Sequence, residues 1–193
     1  MNTPLKLLGI PGSLRRSSYN RAALVAARNL LPEGVTLDIF DLEGIPLFNQ
    51  DTEDNPVARL VEFKKMIRDA DAIVFATPEY NYSVPGVLKN AIDSASRPFG
   101  ESAWTGKPVA IMGASVGPFG SARAQYHLRQ MFVTLDMHPL SQPEVMIGNA
   151  NKAFDGNGRL IDEDSQDLIR QLLGHLCRWT RQVKGKWGAS SNQ

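Results

Sequence analysis

Five times along the chain a short apolar run is followed by a longer stretch in which apolar positions recur every three or four residues. The runs lie at 5–10 (LKLLGI), 35–41 (VTLDIFD), 71–77 (DAIVFAT), 108–114 (PVAIMGA) and 143–147 (PEVMI), and the helical stretches at 20–31, 56–69, 85–97, 120–135 and 162–184. This alternation predicts an α/β fold, a doubly wound five-stranded parallel sheet with helices on both faces. IVFAT and VAIMGA are apolar at consecutive positions, which suits central strands buried on both sides, whereas VTLDIFD alternates and suits an edge. The last helix opens on Asp162, Glu163 and Asp164 and closes on Arg178, Arg181 and Lys184, an order that complements its dipole.

With 193 residues, 42% of them apolar, the chain can bury a full core, and we expect one domain over 1–185 followed by a frayed tail at 186–193. Lys and Arg (21) balance Asp and Glu (20), so neither a nucleic acid nor a membrane surface is indicated as a partner. No secretory signal pattern or membrane-length apolar stretch stands in the sequence, and the expectation is a soluble, cytoplasmic protein. Cys177 is the only cysteine, which removes an intrachain disulfide and a multi-thiolate zinc site; inside a helical pattern it reads as a small core residue. His127, His138 and His175 share no metal-binding spacing and read as surface or packed histidines.

In an open parallel sheet ligands bind beyond the C-terminal strand ends, which directs attention to the segments after the first, third and fourth strands. The first, GSLRRSSYN (12–20), holds more hydroxyls and guanidinium groups than a turn and a helix cap require. Backbone N–H groups at a helix start, serine hydroxyls and an arginine together suit a phosphate. Neither G-x-x-x-x-G-K-[ST] nor G-x-G-x-x-G is present there, so a triphosphate or dinucleotide pyrophosphate fits less well than a monophosphate such as that of FMN. The second segment, TPEYNYSVPGVLKNAID (77–93), is bracketed by Pro78 and Pro85 and is expected to be stiff; Glu79, Tyr80, Asn81, Tyr82 and Ser83 suit the border of a flat heteroaromatic ring.

The third segment, GASVGPFGSARAQYHLRQ (113–130), carries Gly113, Gly117 and Gly120, which would permit close approach to a ligand or a positive φ. It also matches G-x-S-x-G at 113–117, with Asp162 and His175 following in the order of an α/β-hydrolase triad. A small serine esterase is therefore the alternative reading. Pro118 and Gly120 argue against a helix directly after Ser115, as does the shared helical pattern of Asp162 and His175.

Together G-S-L-R-x-x-S-x-N (12–20), P-E-Y-N-x-S-x-P-G-x-L-K-N-A-I-D (78–93) and G-A-S-x-G-x-x-G-x-A-R-x-Q (113–125) resemble the NAD(P)H-dependent FMN reductases, and within them the bacterial quinone and chromate reductase branch. The resemblance runs from Leu5 to about Val183. It implies a flavodoxin-like fold, bound FMN, NADPH or NADH as donor, and two-electron delivery to quinones, with chromate, azo or nitro compounds as side acceptors. It assigns Ser13, Arg15, Ser18 and Asn20 to the flavin phosphate, Pro78, Glu79, Tyr80 and Asn81 to the isoalloxazine, and Ser115 to the ring's opposite end. No protein side chain is assigned as catalytic, since the chemistry lies on the flavin. It further implies a homodimer or homotetramer with Arg123, Tyr126 and Glu144 at interfaces. Ser94 departs from the tryptophan that relatives often carry, which would alter the pocket edge. A flavodoxin-like electron carrier without small-molecule turnover is a third reading, opposed by the near-neutral charge of +1.

Overall fold

The computed structural model describes residues 4–187. The elements run β1 (Leu5–Pro11), α1 (Tyr19–Arg28), β2 (Val35–Ile39), α2 (Ala58–Asp69), β3 (Ala72–Ala76), α3 (Gly86–Ala95), β4 (Pro108–Ala114), α4 (Ala122–Thr134), β5 (His138–Pro139), β6 (Val145–Ile147), α5 (Ala150–Ala153) and α6 (Glu163–Trp187). All strand pairs are parallel, in the order β2-β1-β3-β4-β5, with β6 also on β4. This is the flavodoxin-like order.

β3 and β4 are buried at every position and β2 alternates, as their sequences predict. The pleat divides their side chains between two cores. Val74, Ala110 and Met112 pack under α1 and α6 with Leu24, Leu173 and Cys177, whereas Ile73, Phe75, Val109 and Ile111 pack under α2, α3 and α4 with Phe63, Leu88 and Phe132. Each helix lays its apolar stripe on one face of the sheet, and that burial supplies most of the driving force.

Several ends shift by one to three residues, among them α1, which stops at Arg28 rather than 31, and the short α5 was not expected; three differences have a clear physical cause or bear on the site. The expected strand at 143–147 is the second half of an interrupted edge: β5 pairs with the start of β4 through Pro108–His138, and β6 with its end through Met112–Val145. The segment between them carries Pro143, and neither piece is long enough to display a period. α4 begins at Ala122 rather than 120, because Gly120 (φ 53°) and Ser121 (φ 66°) are left-handed. α6 runs through Trp187, two residues into the expected tail; 188–193 lie outside the described residues. Among the described residues no helix is long and apolar enough to cross a membrane.

Candidate functional site

Because the strands are parallel, Pro11, Ala76 and Ala114 end at the same edge of the sheet, and the loops that follow them meet there. Two glycines let them close up. A Cβ on Gly12 would stand 3.1 Å from Thr77 Oγ1, and one on Gly113 would stand 1.8 Å from Ser121 Oγ and 2.5 Å from the Thr77 carbonyl oxygen. Gly113 thus serves protein packing rather than ligand approach. The same holds for Gly120, where a Cβ would collide with the Met146 carbonyl carbon at 2.3 Å.

Between the loops lies a cleft of about 350 Å³, lined by Ser13, Arg15, Ser18, Asn20, Pro78, Glu79, Tyr80 and Ser115 together with Tyr19, Ala114 and Val116. Asn81 is the one candidate outside the lining. Tyr19 was not singled out in the sequence, though its place directly after the capping serine was a signal for it.

At one end of the cleft Ser18 caps α1, its Oγ accepting from Arg21 N–H at 3.3 Å, and its own N–H donates to Arg15 O at 3.0 Å. Ser13 Oγ accepts from Arg15 N–H at 3.3 Å and lies 3.5 Å from Tyr80 Oη, where the first and second loops touch. Arg15 is exposed and stacks on Tyr19, 5.2 Å from the ring centroid. Arg21 is held by Asp41. The Arg15 guanidinium, which has no carboxylate partner among the described residues, the hydroxyls of Ser13 and Ser18 and the positive end of α1 make this end fit for a phosphate monoester. Asn20 is 3% exposed and works on the frame: its Nδ2 donates to Ala114 O and its Oδ1 accepts from Ala114 N–H.

At the other end, Tyr80 and Ser83 exchange two backbone hydrogen bonds of 3.0 Å around Asn81 (φ 49°) and Tyr82 (φ 66°). Two left-handed central residues make this a type I′ turn. Its closing bonds use Tyr80 and Ser83 alone, and the central N–H groups stand outside them. Among the described residues no hydrogen bond uses those two N–H groups, and the turn follows directly on Pro78, Glu79 and Tyr80, which line the cleft; free donors of this kind suit the polar edge of a heteroaromatic ring.

Glu79 turns its carboxylate away from the turn and onto α4. One oxygen pairs with the Arg123 guanidinium, and the other accepts from the N–H groups of Arg123 (3.0 Å) and Ala124 (3.4 Å). Burial pushes this carboxyl up, but the guanidinium and the two N–H groups outweigh it and hold the group below its usual range. Arg123 itself lies over the Tyr82 ring at 3.7 Å and near Phe119 at 5.1 Å. The Glu144 carboxylate beside Tyr126 pushes its phenol up, so the three residues expected at interfaces all have partners within the chain.

No triad forms around Ser115. Its hydroxyl donates to Gly117 O at 3.1 Å; Asp162 caps α6 by accepting from Ser165 N–H at 2.9 Å; His175 Nδ1 faces Gln142 O at 3.2 Å. Ser94 is 3% exposed and lines a different cavity of about 300 Å³, under Pro46–Asn49 and beside Lys64 and Arg97, which shares no residue with the first cleft. Within this chain Ser94 therefore borders that second cavity and not the edge of the Ser13–Ser115 cleft. Cys177 is buried in the α6 core, and burial pushes its thiol up, as an inert core residue requires.

Comparison with known proteins agrees with this geometry. Residues 5–152 match the family model described as NADPH-dependent FMN reductase. An NAD(P)H-dependent FMN reductase of Pseudomonas aeruginosa is 55% identical over 96% of this chain and 100% of its own length. A 2-hydroxy-1,4-benzoquinone reductase of a Burkholderia species is 44% identical over 92% of this chain and 97% of its own. Among solved structures, the flavoenzyme NAD(P)H:(acceptor) oxidoreductase FerB of Paracoccus denitrificans superposes with a TM-score of 0.85 at 30% identity, covering 93% of this chain and 98% of that one. A phosphate-fitted loop, a ring-fitted turn and a family match across three quarters of the sequence lead to one conclusion: the chain belongs to the NADPH-dependent FMN reductase family.

Proposed function

We propose that this chain is an FMN-dependent oxidoreductase that takes a hydride from NADPH or NADH and passes two electrons to quinones. The observation that carries the reading is the meeting of Ser13, Arg15 and Ser18 with Pro78, Tyr80 and Ser115 in one cleft, a phosphate end facing a ring end. Bound FMN supplies the redox chemistry, accepting hydride from a reduced nicotinamide and giving electrons to the acceptor. Arg15 and the α1 N-terminus would hold its phosphate, with Ser13 and Ser18 adding hydroxyl donors. The Tyr80–Ser83 turn presents N–H groups to the ring edge. Asn20 and Glu79 fix the loops on which those groups stand. The charge is nearly balanced, as suits small-molecule exchange better than docking of a protein partner.

The finer reading has one FMN-binding domain over 1–185, acting in the cytoplasm as a homodimer or homotetramer, with Arg123, Tyr126 and Glu144 as interface candidates through the parts of their side chains that their partners within the chain leave open, and chromate, azo or nitro compounds as secondary acceptors. The relatives named as quinone reductases favour a quinone as the main acceptor.

The test is an absorption spectrum of the purified protein followed by anaerobic addition of NADH and NADPH and then of a benzoquinone. The flavin bands should bleach with at least one nicotinamide and return with the quinone. Bands that fail to bleach with either would leave an electron carrier; an absence of flavin uptake would remove the reading altogether.

A further inference from the structure

The turn at the ring end of the cleft stands in a conformation its sequence does not favour. Asn81 tolerates a φ of 49°, but Tyr82 at 66° is a bulky side chain in the left-handed region, where asparagine and glycine are the usual occupants. Backbone of this kind persists only where its surroundings over-determine it. The two closing bonds between Tyr80 and Ser83 do not by themselves choose tyrosine for the left-handed position.

The surroundings are one face of α4. Arg123 lies over the Tyr82 ring and is tied to Glu79, the residue just before the turn. Four residues later, and so on the same side of the helix, His127 Nδ1 stands 2.9 Å from Ser83 Oγ. The turn is therefore held before it by Glu79, at its centre through Tyr82 and at its end through Ser83. Neither Arg123 nor His127 lines the cleft.

We propose that Arg123 and His127 are positioning residues: they clasp the Tyr80–Ser83 turn to α4 and keep its central N–H groups facing the flavin ring. This rests on the reading of that turn as the ring site. Loss of the clasp lets Tyr82 leave the left-handed region, and the N–H groups turn away with it. The effect falls on recognition of the ring and spares recognition of the phosphate.

The experiment compares FMN and riboflavin affinities of the full-length protein, by fluorescence titration, for the wild type and for His127→Ala, His127→Asn and Tyr82→Gly. A hydrogen bond of ordinary net worth predicts that His127→Ala weakens both flavins by about three- to tenfold and by the same factor. His127→Asn, which keeps a polar atom near Nδ1, should recover most of the loss. Tyr82→Gly puts Asn-Gly, the pair this turn favours, at its centre. In that background His127→Ala should cost no more than about twofold, because the turn no longer needs holding. Amide exchange in the flavin-free protein gives a second readout: Asn81 and Tyr82 should exchange faster in His127→Ala while the melting temperature stays put.

Unchanged riboflavin affinity in His127→Ala, or the same loss with and without Tyr82→Gly, would overturn the proposal while leaving the FMN reading intact. A wild-type protein that binds neither flavin would overturn both. Arg123→Ala should act in the same direction as His127→Ala, with its molecular mass in solution measured alongside.

Discussion

Asn20 and Ala114 pair as two strand residues would, with Asn20 Nδ2 donating to the Ala114 carbonyl at 2.9 Å and the Ala114 N–H donating to Asn20 Oδ1 at 2.8 Å. A side-chain amide thereby finishes the end of β4 and pins the first turn of α1 to it, 94 residues away in sequence. Substituting Asn20→Ala leaves a buried donor and a buried acceptor without partners. At about 1–3 kcal/mol for each unsatisfied group, the loss of stability should be about 2–6 kcal/mol. Urea unfolding of the flavin-free protein measures it; a change below about 1 kcal/mol would mean that water replaces the amide.

Arg15 is the arginine in the cleft lining, and among the described residues it has no ion pair. Arg15→Ala should weaken FMN about ten- to a hundredfold, as expected for a charge-assisted hydrogen bond of about 1.5–3 kcal/mol. Riboflavin affinity should hardly move. Equal losses for the two flavins would mean that Arg15 does not read the phosphate.

Gly113 has no room for a side chain between Thr77 and Ser121. Gly113→Ala should cost about 1–3 kcal/mol through overpacking, since the Thr77 carbonyl belongs to the backbone and cannot rotate aside. Thermal unfolding with and without FMN would test this; an unchanged midpoint would show that the two loops move apart freely.

Glu79 has its folded pKa depressed despite burial, so its contribution is fully present above the unfolded carboxylate value near 4.5. That contribution is lost as pH falls through the lower folded value. Glu79→Gln should therefore lower the melting temperature at pH 7, and the gap to the wild type should narrow below about pH 4. A gap that stays constant down to pH 3 would mean that the charge on Glu79 is not what stabilises α4.

The central strands were legible because burial on both faces writes itself as unbroken apolar runs, as in Ile73–Ala76 and Val109–Met112. The 12–20 loop stood out because its polar surplus is local, and the structure brings Ser13, Arg15 and Ser18 from it to the cleft. The interrupted edge was not, since two and three residues cannot display alternation. Nor was the attachment of Glu79 to α4 or of Ser83 to His127, each a contact across 44 positions that no local pattern encodes. The stiffness of the ring loop was anticipated from Pro78 and Pro85. In the structure the turn itself is held by its own type I′ bonds and by α4, with Pro85 standing at the cap of α3.

The interruption between β5 and β6 also decides what the sheet can do with other chains. An intact outer strand would offer a row of free donors and acceptors on which a foreign strand could grow. Here Pro139 and Pro143 have no N–H to give, and side chains from α4 and α6 reach over the carbonyls: Arg129 donates to Leu140 O, Trp179 to His138 O, and His175 faces Gln142 O. On the β5 side, then, the prolines and the side chains of α4 and α6 take up backbone groups that an incoming strand would need.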